Sequence, residues 1–131
     1  GDESDWGREY LALTMAVHTV DSIDEAIAFI NKHGSHHTDC IITRDEAAAG
    51  RFFALVDSAG VYQNCSTRFA DGYRYGFGAE VGISTNKIHA RGPVGLDGLM
   101  IYKYKLYGSG QTAGEYADGK KHFKHIQLPC K

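Results

Sequence analysis

Residues 13–63 read LTMAVHTVDSIDEAIAFINKHGSHHTDCIITRDEAAAGRFFALVDSAGVYQ, and the alternation in this stretch decides the fold class. Leu13 to Val20 is apolar and β-branched at intervals, the pattern of a strand. Ser22 and Glu25 then stand three apart, so a hydroxyl and a carboxylate can satisfy opposite backbone N–H groups in a capping box. Ile23, Ala26, Ile27 and Ile30 follow at helical spacing, and Gly34 is placed to end that helix in a left-handed conformation. Asp39 to Thr43 reads as a short buried strand through Ile41 and Ile42. Thr43 with Glu46 repeats the capping pattern, Ala47, Ala48, Phe52 and Leu55 continue a second helix, and Ser58 to Gln63 closes the series as a third strand. The order β-α-β-α-β predicts an α/β fold with a parallel sheet and right-handed crossovers.

Outward from this core the pattern changes. From Asn64 to Gly98 glycines recur with little periodicity, and a long stretch of that kind in a compact chain points to a functional loop region. Leu99 to Tyr107 (LMIYKYKLY) alternates in part and is predicted as a late strand, with Lys103 and Lys105 on one face and tyrosines on the other. The expected division is 1–107 for the α/β part with its late strand, and 108–131 for a polar, flexible tail.

The 131 residues suffice for one domain with a hydrophobic core. A formal net charge of −2 offers no electrostatic footprint for nucleic acid or an anionic membrane. No apolar run approaches the roughly 20 residues of a membrane-spanning helix, and the acidic, polar start is no signal peptide. Gly1 reads as a cleavage scar of a cut chain. Cys40, Cys65 and Cys130 form no CxxC pair, and an odd count is no disulfide framework, so a reducing, cytoplasmic setting is expected.

Several constellations have a chemical and a plain reading. His33, His36, His37, Asp39 and Cys40 are metal-ligand types packed closely, but a turn followed by a strand sends alternate side chains apart, so a polar loop and no metal site is expected. Cys65 stands near Arg68, which could activate a thiol, yet no base accompanies it. Arg68 and Arg91 lie in glycine-rich surroundings rather than on a charged helix face. Each suits a carboxylate or phosphate through its two-pronged guanidinium, or else anchors a loop by an ordinary ion pair. Gly76-Phe77-Gly78 does not complete a dinucleotide fingerprint, because Val81 holds the last position.

Three blocks, Val56 to Gly72, Gly76 to Thr85 and His89 to Leu96, then resemble stretches of the gamma-glutamyl phosphate reductases. Val56-Asp57-Ser58-Ala59 through Asn64-Cys65-Ser66-Thr67-Arg68-Phe69-Ala70-Asp71-Gly72 resembles their VDSAxVxxNxSTRFxDG stretch. Gly76 to Thr85 is similar to GxGAEIGIST, and His89 to Leu96 to HARGPVGL, in the family's order and spacing. The likeness covers about Trp6 to Gly110, with a weaker, fungal-like similarity in the tail.

The resemblance implies the later half of an aldehyde-dehydrogenase-type catalytic domain, from a C-terminal portion of the enzyme. It implies reduction of L-glutamyl 5-phosphate by NADPH to L-glutamate 5-semialdehyde in proline biosynthesis, through a thioester on a cysteine upstream of this chain. No catalytic residue is therefore assigned here, and the chain alone is expected to be inactive. Glu9, in Glu9-Tyr10-Leu11, is similar to the superfamily glutamate that binds the nicotinamide ribose, although Leu11 and Leu13 depart from the usual motif. NADPH would be held mainly by the missing N-terminal part. Asn64, Ser66, Thr67 and Arg68 take the place of substrate-binding residues, and Phe77 and Arg91 that of an active-site loop supported also by His89. A homo-oligomer and a glutamate 5-kinase supplying the substrate are implied as partners. The alternative is a non-catalytic α/β binding or assembly module that keeps the motif.

Overall fold

The computed structural model describes residues 1–126. The chain falls into two units, one of residues 1–101 and one beginning at Tyr102. In the first, helix α1 (Ile23–His33) leads to strand β1 (Thr38–Ile41), helix α2 (Glu46–Leu55) and strand β2 (Gly60–Gln63). β1 and β2 pair in parallel from Thr38 opposite Gly60 to Ile41 opposite Gln63. The α/β class with a parallel pair is therefore as expected, while its extent differs.

α1 starts at Ser22, whose hydroxyl accepts from Glu25 N at 3.1 Å, while the Glu25 carboxylate accepts from Asp21 N rather than from the cap itself. Asp24 and Glu25 in the first turn and Lys32 and His33 in the last suit the helix dipole. Gly34 ends the helix in an extended conformation, φ −69°, not the predicted left-handed one. Glycine is needed there for space, because a Cβ would lie 2.7 Å from the Ile30 carbonyl oxygen.

α2 is capped by Asp45, whose carboxylate accepts from Ala47 N at 2.8 Å and Ala48 N at 3.2 Å. The predicted cap, Thr43, sits two residues back and accepts from Asp45 N at 3.0 Å. A carboxylate that reaches two free N–H groups of the first turn outcompetes a hydroxyl further away.

The core is Ile27, Phe52 and Val56, with Ile23, Ile30, Ile41 and Val61 packed against it. The apolar stripes of α1 and α2 thus cover one face of the strand pair. Each such side chain taken from water contributes about 1.5–3 kcal/mol.

Leu13–Val20 forms no strand. Leu13, Met15 and Val17 point to solvent, and His18 stacks on Phe29 of α1 at 4.5 Å between ring centres. The alternation is present, but a ladder needs a neighbour, and the two ladders among the described residues join β1 to β2 and Gly82–Ser84 to Gly92–Val94.

The glycine-rich region holds an unpredicted antiparallel pair, β3 (Gly82–Ser84) and β4 (Gly92–Val94), in register from Gly82 opposite Val94 to Ser84 opposite Gly92. No strand forms over 99–107 either. A 3₁₀ turn at Leu96–Leu99 takes the first residue of that stretch, and the residues after it lie open, Ile101 and Leu106 almost fully. Within the second unit, helix α3 (Ala113–Ala117) begins where Glu115 accepts from Thr112 N at 3.1 Å, and Lys121 reaches the same carboxylate at 2.9 Å. The last part of the expected tail, with Cys130, lies outside the described residues.

Candidate functional site

The loop that leaves β2 begins with Asn64, whose φ of 55° is left-handed, a conformation asparagine tolerates better than most residues. Its backbone N–H continues the ladder onto the Ile41 carbonyl at 2.9 Å. Its side chain clamps the neighbouring strand's exit: Thr43 N donates to Oδ1 at 2.9 Å, and Nδ2 donates to the Thr43 carbonyl at 2.7 Å. The structure thus gives Asn64 a positioning task. Ser66 then caps a 3₁₀ turn over Thr67–Phe69, its hydroxyl accepting from Arg68 N at 3.2 Å.

Behind the turn the chain folds back on itself. Asp71 accepts from Tyr73 N at 2.9 Å and Arg74 N at 3.1 Å, and Phe77 N donates to the Gly72 carbonyl at 2.8 Å. Gly72 is buried there, and a Cβ would come within 2.6 Å of the Ala79 carbonyl oxygen. The hydroxyls of Tyr62 on β2 and Tyr75 bond to each other, which fastens the fold-back to the sheet. Burial, then that bond, hold the Tyr62 phenol protonated well above its ordinary range. The result is a recess of about 200 Å³ lined by Ser66, Arg68, Phe69 and Arg74.

Phe77 and Arg91 border a different recess, of about 250 Å³, with Pro93 and Gly95. Arg91 is already engaged: its Nη2 donates to the Asp57 carboxylate at 2.9 Å and to the Asp57 carbonyl at 3.1 Å. Lys87 reaches the other carboxylate oxygen at 2.5 Å. Asn31 on α1 accepts from Asp57 N at 2.8 Å. Lys87 first, and then Arg91, hold the Asp57 carboxyl below the usual range. Asp57 therefore straps the β3–β4 connection to the end of α2. Sequence reasoning missed this role although the residue is the second of the VDSA block.

Glu9 borders a third recess, of about 460 Å³, with Trp6, Tyr10 and Met15 against Phe29, Ile30 and His33 of α1. Its floor is an aromatic cluster in which Phe29 meets Trp6 at 5.2 Å and His33 at 4.6 Å. Of the expected site residues, Ser66 with Arg68, Phe77 with Arg91, and Glu9 thus line three separate recesses rather than one, and Asn64 and Thr67 line none of the three.

Among the described residues no three His, Cys, Asp or Glu side chains converge on one point. Each tempting ligand has another partner. His36 Nδ1 lies 2.7 Å from the Asp57 carbonyl, His37 Nδ1 2.7 Å from Thr38 Oγ1, and Asp39 accepts from the Ser58 hydroxyl at 2.5 Å. The Cys40 thiol donates to the Cys65 carbonyl at 3.1 Å, and Cys65 itself is exposed.

Against this geometry stand the known proteins. No family model matches the chain. The gamma-glutamyl phosphate reductase of Pelotomaculum thermopropionicum is 63% identical over 126 residues, which cover 96% of this chain and 29% of that protein. The chain matches a segment of the gamma-glutamyl phosphate reductases. A probable gamma-glutamyl phosphate reductase of Schizosaccharomyces pombe is 62% identical over 128 residues, 96% of this chain and 28% of that protein. The crystal structure of the gamma-glutamyl phosphate reductase of Thermotoga maritima superposes with a TM-score of 0.79 at 46% identity, covering 86% of this chain and 27% of that one. The α/β architecture is therefore that of a solved reductase segment. The chain spans less than a third of the length of the curated relatives it matches. A bacterial and a fungal relative match the same share of the chain, so the likeness in the tail does not single out fungi.

Proposed function

We propose that this chain is part of an NADP-dependent glutamate-5-semialdehyde dehydrogenase, which reduces L-glutamyl 5-phosphate to L-glutamate 5-semialdehyde in proline biosynthesis. The observation that carries this reading is the exposed Ser66–Arg68 turn, which offers a hydroxyl and a guanidinium in one recess at the end of a parallel strand. Ligands of α/β sheets bind at the carboxyl ends of the strands, where loops can present such groups without disturbing the ladder. In this role Ser66, Thr67 and Arg68 hold the acidic substrate. Asn64 sets the loop's exit through its two bonds to Thr43, and Phe77 and Arg91 shape the wall beside it.

A nucleophile is needed to take the acyl group and release phosphate. It comes from a cysteine elsewhere in the enzyme, and residues 1–107 here form part of the catalytic domain around it. NADPH supplies the hydride. The fit of Glu9 to its ribose rests on an exposed carboxylate on the wall of an aromatic-floored recess, outside the ion pairs of the described residues. A carboxylate so placed can accept from two vicinal hydroxyls. The enzyme works in the cytoplasm, draws its substrate from a glutamate 5-kinase and assembles as a homo-oligomer. Among the described residues no helix is long and apolar enough to cross a membrane.

The test is a segment exchange. This chain replaces the matching segment of the Pelotomaculum thermopropionicum protein, and NADPH oxidation with glutamyl phosphate is followed. The expected result is activity in the chimera and none in the chain alone. In the chimera, Arg68→Ala lowers kcat/KM by about 10–100-fold, the loss of one charge-assisted contact of about 1.5–3 kcal/mol. An inactive but folded chimera supports a non-catalytic module instead, and an Arg68→Ala chimera with full activity removes the substrate role of the loop.

A further inference from the structure

We infer that Arg74 is a second anion-binding guanidinium, and that with Arg68 it makes the recess a receptor for a phosphate group rather than for a carboxylate. The inference rests on the reading of the Ser66–Arg68 turn as the substrate loop, and it assigns which end of the substrate that loop takes.

Arg68 and Arg74 line one recess together with Ser66 and Phe69. Arg74 does not hang free: its Nη1 donates to the Arg68 carbonyl, which fixes its guanidinium beside the turn. The fold-back that brings it there is over-determined. Asp71 spends Oδ1 on the N–H groups of Tyr73 and Arg74, Tyr75 N donates to the Asp71 carbonyl at 2.9 Å, and Gly72 permits a close approach to Ala79.

Two like charges drawn to one small recess repel each other. Elsewhere in the first unit Asp57 takes Lys87 and Arg91, and Asp24 takes Arg51, while Arg8, Lys32 and Arg44 stand without an ion pair among the described residues; what sets Arg68 and Arg74 apart is that they line one recess together. Among the described residues neither Arg68 nor Arg74 has a carboxylate within 4 Å. The missing partner is an anion of about two charges with three or more acceptor oxygens. A phosphate group has both, carrying about −1.5 to −2 near neutral pH. A carboxylate carries one charge and two oxygens, which a single guanidinium already satisfies.

The test begins with the labelled chain at neutral pH and constant ionic strength. Inorganic phosphate and, as the carboxylate probe, acetate are titrated in turn, and the Nε signals of Arg68 and Arg74 with the amides of 66–74 are read by NMR. Phosphate is expected to bind at least about tenfold more tightly than acetate. Arg74→Gln should weaken phosphate about tenfold and leave acetate unchanged, with Arg74→Lys in between because an ammonium keeps the charge but loses the fork. The amides of β1 and β2 report whether each variant keeps its fold, and Arg74→Lys carries the test if Arg74→Gln does not. Equal binding of phosphate by Arg74→Gln, or acetate binding as tightly as phosphate, overturns the inference.

In the chimera, Arg74→Gln should raise KM for glutamyl phosphate by about tenfold with little change in kcat. If phosphate binding falls while KM holds, the anion receptor stands and its identification with the reductase's substrate loop is what fails.

Discussion

The Asp57 strap and the Arg68–Arg74 recess both gather two cations, and they differ in one carboxylate. At the strap, Lys87 and Arg91 converge on Asp57 at 2.5 and 2.9 Å, so the charges are matched within the chain and the arrangement holds loops together. At the recess, the acidic residues of the fold-back, Asp71 and Glu80, are turned to backbone N–H groups, and the cations are left without a matching carboxylate among the described residues. An arginine in a glycine-rich loop is thus ambiguous until its partner is known. With a carboxylate beside it, it is a fastener. Beside another arginine and a hydroxyl, it awaits a ligand.

Changes to the frames of the two sites should separate them. The largest effect is expected from Gly72→Ala, whose Cβ would press on the Ala79 carbonyl. Overpacking of this kind costs about 1–3 kcal/mol. Thermal unfolding should show that loss, and phosphate binding should fall with it as Arg74 is displaced. If the midpoint and the phosphate affinity both hold, the fold-back is not what positions Arg74.

Asn64→Ala removes the two-bond clamp on Thr43 and leaves a residue less suited to a φ of 55°. The expected loss is about 1–2 kcal/mol in denaturant unfolding. Amide exchange should quicken at 64–69 while the region of Lys87 and Arg91 stays as it was. Quickening at both places would mean that the two sites share one frame.

Asp57→Asn should do the reverse. Exchange across 84–92 should quicken several-fold, because the ion pairs to Lys87 and Arg91 are lost, while phosphate binding at the recess is retained. Loss of phosphate affinity in this variant would erase the distinction drawn between the two sites.

The smallest effect is in acid. Asp57 has a folded-state pKa below its unfolded value, set first by Lys87 and then by Arg91. The unfolded chain therefore binds more protons in that window, and stability rises with pH across it. The contribution is whole above the ordinary carboxylate value of about 3.9 and fades as pH falls through the lowered folded one. Because the pair is well exposed, the effect should be small and weaken with salt. Acid titration of exchange rates at 84–92, compared with Asp57→Asn, checks it: the variant should lack this dependence.

Much of the first half was legible in the residues. Ser22 with Glu25, the spacing of Ile23, Ile27 and Ile30, and the apolar run into Ile41 act over one or two helical turns, and α1, β1, α2 and β2 stand where those signals lie. The errors there have local causes as well. Asp45 capped α2 in place of Thr43 because its carboxylate reaches two N–H groups, and Gly34 serves by lacking a Cβ rather than by turning left-handed. At Leu13–Val20 and Leu99–Tyr107 periodicity misled, because alternation marks a chain that can lie beside a strand and says nothing about whether a strand is there.

The candidate site was legible as residue types and hidden as geometry. The STRF block pointed to an anion loop, and its resemblance pointed to a reductase. Nothing in residue order revealed that Asn64 is occupied with Thr43, 21 positions away, or that Arg91 is bound to Asp57, 34 positions away. Helix starts, helix faces and the motif itself are short-range properties, encoded in side chains a few positions apart. Which arginine is paired and which stands open depends on contacts between distant segments, and those exist only once α1, α2 and the strand pair have packed around Ile27, Phe52 and Val56.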